Sequence, residues 1–258
     1  KRERVDFIRG TDPFWCGFIA LFVSRLMKIP CCVSIHADYD KIGRISKYGA
    51  STMVLGSVRL GKFLARFVLN RVDMILPIRK NLGDWAVENG ANIKKTIVIP
   101  HGIDLRPFMI GPAIDIYKFF DIERSLKIIS FIGRLSKENY VDDVLKLARM
   151  LGERRSDFVV VIAGEGNEYN RLRHMADQDV VLRKFVKMIG FQKQEICFDL
   201  RKTSSVSLCL MGGFSLIEAC AAGSPVVSYA VDWHSELVKD NETGFLVKEG
   251  DLDGLVIA

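Results

Sequence analysis

Five or six apolar residues followed by a glycine: this unit recurs through the second half of the chain and restricts its fold more than any other feature. Lys127–Ile132 runs into Gly133, Phe158–Ala163 into Gly164, Phe185–Ile189 into Gly190, and Val206–Leu210 leads to Gly212 and Gly213. Between these runs lie segments of helical spacing. Tyr140–Leu151 puts Val141, Val144, Leu145, Ala148 and Leu151 on one face; Glu168–Asp177 and Lys193–Lys202 follow. Runs that are apolar throughout are strands covered on both faces. Their alternation with helices predicts an α/β fold with a doubly wound parallel sheet.

The most informative stretch is Met211–Val238. A glycine turn leads into a helix over Ser215–Ala222, stopped by Gly223 and Pro225; a strand over Pro225–Ala230 follows, and another helix opens near Trp233. Turns of this kind lie at the carboxyl edge of a parallel sheet, where the next helix points free N–H groups at an anion, usually a phosphate. Ser215-x-x-Glu218 fits a capping box, with the carboxylate reaching back to the Ser215 N–H. The competing reading has the Glu218 carboxylate facing the ligand; local spacing alone favours the cap.

The first half is less regular. Val5–Arg9 reads as a short strand, and Asp12-Pro13 opens a helix running to about Met27, with Asp as cap and Pro at the first helical position. A strand of continuous apolar character ends at His36. Asp38–Thr52 has no period and reads as a loop. A helix over Ser57–Arg71 sets Arg59, Lys62 and Arg66 opposite Leu60, Phe63, Leu64, Phe67 and Val68. That basic face is read as solvated, with contact to anionic lipid as the alternative. A strand at Val72–Ile78, a helix at Arg79–Glu88 and a strand at Thr96–Pro100 complete this part. Residues Arg106–Arg124 lose the rhythm and contain Pro107, Gly111 and Pro112. The domain boundary is therefore placed there: 1–110 and 111–258, each half a Rossmann-like α/β domain, with a cleft expected between them.

Composition narrows the functional classes only modestly. The net charge is +6 and the hydrophobic share 49%. A basic balance suits phosphorylated ligands, anionic membranes or nucleic acid, but the positive residues are scattered, with no block of the nucleic-acid kind. No apolar run approaches the ~20 residues of a membrane span. The six cysteines form no C-x-x-C pair and sit mostly in apolar runs, so reduced, buried thiols of a cytoplasmic protein are expected rather than a metal site. The order G-x-G-x-x-G is missing from the first βα turns, and a P-loop is missing altogether, against a dinucleotide-dependent dehydrogenase and a kinase. Arg134, directly after Gly133, has the forked guanidinium suited to diphosphate oxygens.

In order along the chain stand I-P-H-G-I-D, I-G-R-L-S, V-I-A-G-E-G, I-G-F, G-F-S-L-I-E-A-C-A-A-G-S-P-V-V and D-N-E-T-G-F-L-V. The ordered set resembles the retaining glycosyltransferases of the group 1 type, family 4, which have the GT-B fold. The resemblance is strong over Ile97–Val247 and weaker over Val5–Asn92. It implies transfer of a sugar from a nucleotide-diphosphate donor to an acceptor hydroxyl with retained anomeric configuration. The second domain would hold the donor and the first would admit a carbohydrate or lipid-linked acceptor. Arg134 matches the family's diphosphate-binding arginine and Glu218 the glutamate that holds the ribose hydroxyls. Gly133 belongs to the same turn as Arg134. Gly213, Phe214, Ser215 and Leu216 would contact phosphate or sugar through backbone amides. Gly164, Glu165 and Phe191 would line the nucleotide pocket, and His36 matches a position facing the donor sugar. No cofactor is expected beyond the donor itself, and no metal, since no D-x-D stands in a metal-binding turn. The implied location is cytoplasmic, with peripheral contact to the inner face of the membrane left open; no oligomeric state is implied.

The pattern departs from the family in three ways. Asn139 stands where the family has a second diphosphate-binding lysine, with Lys137 the nearest substitute. The first glutamate of the family's E-x7-E pair falls at Leu210, and no carboxylate lies between Lys202 and Glu218. The glycine-rich turn expected near the start and the helices expected after Val247 are missing, so the chain reads as truncated at both ends. Two alternatives follow: a nucleotide-sugar-binding protein degenerate at Asn139 and Leu210, and a GT-B epimerase, which would need carboxylates beside the sugar.

Overall fold

The computed structural model describes residues 4–37, 39–40, 57–211, 213–231 and 233–258. Most of the loop read over Asp38–Thr52, and Gly212 of the glycine turn, lie outside them. The chain forms two compact units, Lys1–Gly102 and Ile103–Ala258.

The first unit is built on three parallel strands in sequence order, β1 (Ile8–Gly10), β2 (Cys31–Ile35) and β3 (Met74–Pro77). Ile97 and Ile99 extend the sheet, their N–H groups donating to Ile75 O and Pro77 O. Helices α1 (Trp15–Met27), α2 (Val58–Leu69) and α3 (Lys80–Glu88) cover it. β2 is buried along its whole length, as its continuous apolar run requires. Asp12 is not the cap of α1: its carboxylate accepts from Phe14 N at 2.8 Å and Phe14 is the cap residue, so Pro13 falls in the preceding turn.

The second unit is a six-stranded sheet, parallel throughout: β4 (Lys127–Ile132), β5 (Phe158–Ala163), β6 (Val186–Gly190), β7 (Val206–Leu208), β8 (Val226–Tyr229) and β9 (Gly244–Val247). All six residues of β5 are buried, and alternate ones serve opposite cores. Phe158, Val160 and Ile162 join one cluster with Val144 and Leu145; Val159, Val161 and Ala163 join another with Ile116 and Leu200.

The segment expected to be irregular contains two short helices, α4 (Arg106–Met109) and α5 (Ile116–Phe119). It is bound to the second unit from Ile103 onward, earlier than the boundary expected at residue 110. Contacts with residues 198 and 199 hold the segment there. Asp199 accepts from Ala113 N and Ile114 N at 3.0 and 2.9 Å, while Phe108 packs on Phe198. The remaining helices are α6 (Val141–Gly152), α7 (Tyr169–Gln178), α8 (Val180–Phe185), α9 (Gln194–Thr203), α10 (Phe214–Ala221), α11 (His234–Leu237) and α12 (Leu252–Ile257). Three of them, α8, α11 and α12, are too short to show a helical period in the sequence.

Candidate functional site

Strand order in the second unit is β6-β5-β4-β7-β8-β9. The chain winds outward from β4 to β6, returns, and winds the other way from β7 to β9. The order therefore reverses between β4 and β7, and the crevice beyond their carboxyl ends is where doubly wound sheets bind ligands. Two of the glycine turns border that crevice: Gly133–Arg134 after β4, and the turn before α10 after β7.

The glycines differ in what they do. A Cβ on Gly164 would stand 1.9 Å from Gly133 O, and one on Gly166 2.1 Å from Leu135 O. These two are glycine because the turns after β4 and β5 press backbone on backbone, with Gly133 N donating to Ala163 O and Leu135 N to Glu165 O. Gly164 also has φ +140°, a conformation costly for any side chain. At Gly213, by contrast, an added Cβ meets nothing within 4 Å, and at Gly133 it meets only the Phe131 ring. Gly133 and Gly213, beside the reversal point, thus leave room next to the backbone.

Arg134 is exposed, and its side chain makes no hydrogen bond or ion pair among the described residues. Its carbonyl accepts from Asn139 Nδ2 at 2.7 Å, so the residue at the place of the family's lysine ties down the loop that carries Arg134. Lys137 is exposed in the same loop. Leu210, at the place of the family's first glutamate, is fully buried in the core. Glu165 and Phe191 are exposed after β5 and β6.

Across the reversal point stands α10. Its cap residue is Gly213, which has no side chain to cap the first turn. Ser215 therefore lies inside the helix and no capping box forms: the Ser215 hydroxyl donates to Ile132 O, the last carbonyl of β4, at 2.7 Å. Leu216 points into the core, and Phe214 is half exposed. Glu218, one turn further on, accepts from Arg201 Nη2 at 3.1 Å, and the same Nη2 donates to Ser215 Oγ at 3.1 Å. Arg201 is 1% exposed and Glu218 keeps 19% of its side chain open. A chain of contacts thus runs from Arg201 to Glu218 on one side and through Ser215 to the end of β4 on the other.

Arg201 is the residue that sequence reasoning missed. The signal was there in part, since α9 buries Leu200 and Ser204, and Arg201 stands four residues from Cys197 and three from Ser204 on the covered side. Burial pushes the neighbouring Cys209 thiol up to about 11 and raises that of Cys197, the Arg201 cation opposing both. Glu218 is therefore the anionic partner of Arg201 among the described residues.

His36 belongs to the first unit, just past β2. Its Nε2 lies 2.9 Å from Ser34 Oγ and its ring stacks on His101 at 5.4 Å. Burial first, then the nearby His101 and Arg9, lowers its pKa below the ordinary 6.5. A separate cavity of about 530 Å³ lies at the amino ends of β7, β8 and β9, lined by Val206, Val226 and Gly244. It has no arginine or lysine in its wall and sits on the opposite edge of the sheet from the glycine turns.

A doubly wound parallel sheet with one reversal point, bordered by Arg134, the start of α10 and a held carboxylate, is a Rossmann-like unit. The family model for glycosyl transferases group 1 matches residues 116–257, more than half of the chain, and the protein belongs to that family. Alpha-monoglucosyldiacylglycerol synthase from Streptococcus pneumoniae is 25% identical over all of this chain and 59% of its own length. The UDP-Gal:alpha-D-GlcNAc-diphosphoundecaprenol alpha-1,3-galactosyltransferase of Escherichia coli is 24% identical over all of this chain and 66% of its own. The chain thus spans about three fifths of the curated relatives it matches. Among solved structures, Anabaena HepE in complex with UDP and glucose superposes with a TM-score of 0.75 at 18% identity, over 98% of this chain and 66% of that one. Sucrose-phosphate synthase from Thermosynechococcus elongatus gives 0.77 at 16% identity, over 98% and 63%. The fold is that of the GT-B glycosyltransferases.

Proposed function

We propose that the protein transfers a glycosyl group from a nucleoside-diphosphate sugar to an acceptor hydroxyl with retention of anomeric configuration, the second unit holding the donor. The observation that carries the reading is the reversal point: Arg134 exposed in the turn after β4, room beside Gly133 and Gly213, and Glu218 held with its Oε1 free of hydrogen bonds among the described residues. In this reading Arg134 and the start of α10 take the charge that develops on the departing diphosphate, which is where preorganised cations and N–H groups lower a barrier most. Lys137 adds positive charge from the same loop. Glu218 accepts from the ribose hydroxyls. Glu165 and Phe191 border the nucleotide. The donor phosphates supply the negative charge that these groups meet, and turnover without a divalent ion is expected. Names of relatives support a UDP-sugar donor and a lipid-linked acceptor, with catalysis at the cytoplasmic face of a membrane; no helix among the described residues is long and apolar enough to cross one.

The test is transfer from UDP-glucose, UDP-galactose and UDP-N-acetylglucosamine by the intact protein to diacylglycerol and GlcNAc-diphosphoundecaprenol acceptors, with the product's anomeric coupling read by NMR. An α product, made also in EDTA, is expected. Donor binding without any transfer would favour the degenerate binding protein, to which the buried Leu210 already points. An inverted product would overturn the mechanism.

A further inference from the structure

Arg201 is a costly residue to bury. It is 1% exposed, and its Nε and Nη1 are sealed from solvent with no hydrogen-bond partner among the described residues. Only Nη2 is used, and it touches two residues one turn apart on α10, Ser215 and Glu218. Isolated cations are not held in such places without compensation. The surroundings offer little else: Cys209 and Cys197, the thiols beside it, are kept neutral by their burial. Packing alone does not call for a guanidinium here, since Met or Leu would fill the same space without unpaired donors.

We propose that Arg201 is a positioning residue that holds the Glu218 carboxylate aimed, and that recognition of the donor's ribose hydroxyls depends on it. Two geometrical facts support the assignment. Nη2 takes Oε2 and leaves Oε1, on the partly open side of Glu218, to accept from a ligand. Ser215, the second acceptor of Nη2, is locked by its own bond to Ile132 O. The guanidinium is therefore fixed against the end of β4, and the carboxylate it holds is fixed relative to the Gly133–Arg134 turn. A carboxylate free to rotate would gain a vicinal diol only by losing side-chain freedom; one already held loses little. Arg201 approaches from α9, beneath α10, and touches no ligand itself.

This inference rests on the nucleotide-donor reading, and the experiment separates the two. Calorimetric titration of the intact protein compares UDP with 2′,3′-dideoxy-UDP. For the wild type, UDP binds more tightly by a factor on the order of ten to a hundred, as hydrogen bonds from two hydroxyls to a charged acceptor allow. Arg201→Met brings that ratio close to one, weakening UDP while leaving dideoxy-UDP within about twofold, and Arg201→Lys recovers part of it. A purely structural role would weaken both nucleotides together. Should Arg201→Met fail to fold, Arg201→Gln, which removes the charge and keeps a donor near Glu218, carries the same comparison. A wild-type ratio kept by any folded Arg201 variant overturns the proposal. Failure of the wild type to bind UDP, GDP or ADP overturns the nucleotide reading, and this inference falls with it. Binding of UDP and dideoxy-UDP with equal affinity by the wild type leaves the nucleotide site standing and refutes the roles of Glu218 and Arg201.

Discussion

Removing the Glu218 carboxylate is the perturbation whose size the structure sets most clearly. In Glu218→Leu the Arg201 guanidinium keeps its 1% exposure, retains one neutral partner in Ser215 and loses its counter-charge. Breaking a buried ion pair from one side costs about 3–5 kcal/mol, because an uncompensated charge stays behind. Loss of a capping carboxylate would cost only about 1 kcal/mol. For a protein of this size the larger figure corresponds to a fall in Tm of roughly 6–20 °C. The paired change Arg201→Met/Glu218→Leu takes away both charges, and such replacements are commonly neutral or stabilising. Urea unfolding followed by circular dichroism, at constant m-value, measures all three variants. The expected pattern is one severe single mutant rescued by the second change. A loss below about 1 kcal/mol for Glu218→Leu, or a double mutant as unstable as the sum of its parts, would refute the reasoning.

Other outcomes follow from the same geometry. Gly164→Ala places a methyl 1.9 Å from Gly133 O at a φ of +140° and is expected to cost more than about 4 kcal/mol or abolish folding, whereas Gly213→Ala folds with a Tm near wild type; thermal melts of the two decide this. Because the pKa of His36 is lowered in the folded state, the unfolded state binds more protons below the ordinary 6.5. Stability is then complete above that value and declines as the pH falls through it towards the lowered pKa, a slope that His36→Gln removes in pH-dependent urea melts. Iodoacetamide at pH 8 modifies exposed Cys16 before Cys209, whose thiol is fully enclosed and held at about 11, as peptide mass spectrometry will show.

Strands β4 to β7 were legible because each is an apolar run soon followed by glycine, and burial on both faces leaves no other reading of Phe158–Ala163. The edge carrying Gly133, Arg134 and α10 followed from the same pattern. What stayed hidden depends on contacts between elements distant in sequence. Ser215 and Glu218 have the spacing of a cap, but their bonds go to β4 and α9, and spacing cannot show which partner the tertiary fold supplies. The place of residues 103–119 rests on the Asp199 carboxylate, some eighty residues away in the chain. Gly164 and Gly213 look alike in sequence, yet one is fixed by backbone contact and the other faces open space. The capping reading of Asp12 failed more locally, by two residues, because its side chain closes a turn ahead of the helix.

The central claim is that the reversal point between β4 and β7 binds a nucleoside diphosphate, and calorimetric titration with UDP, GDP and ADP tests it most directly. The account predicts that one of the three binds to the wild type and that Arg134→Ala weakens it at least tenfold with Tm unchanged, since that side chain is exposed and makes no ion pair among the described residues. Binding that is indifferent to Arg134→Ala, or no binding of any of the three by the intact protein, would contradict it.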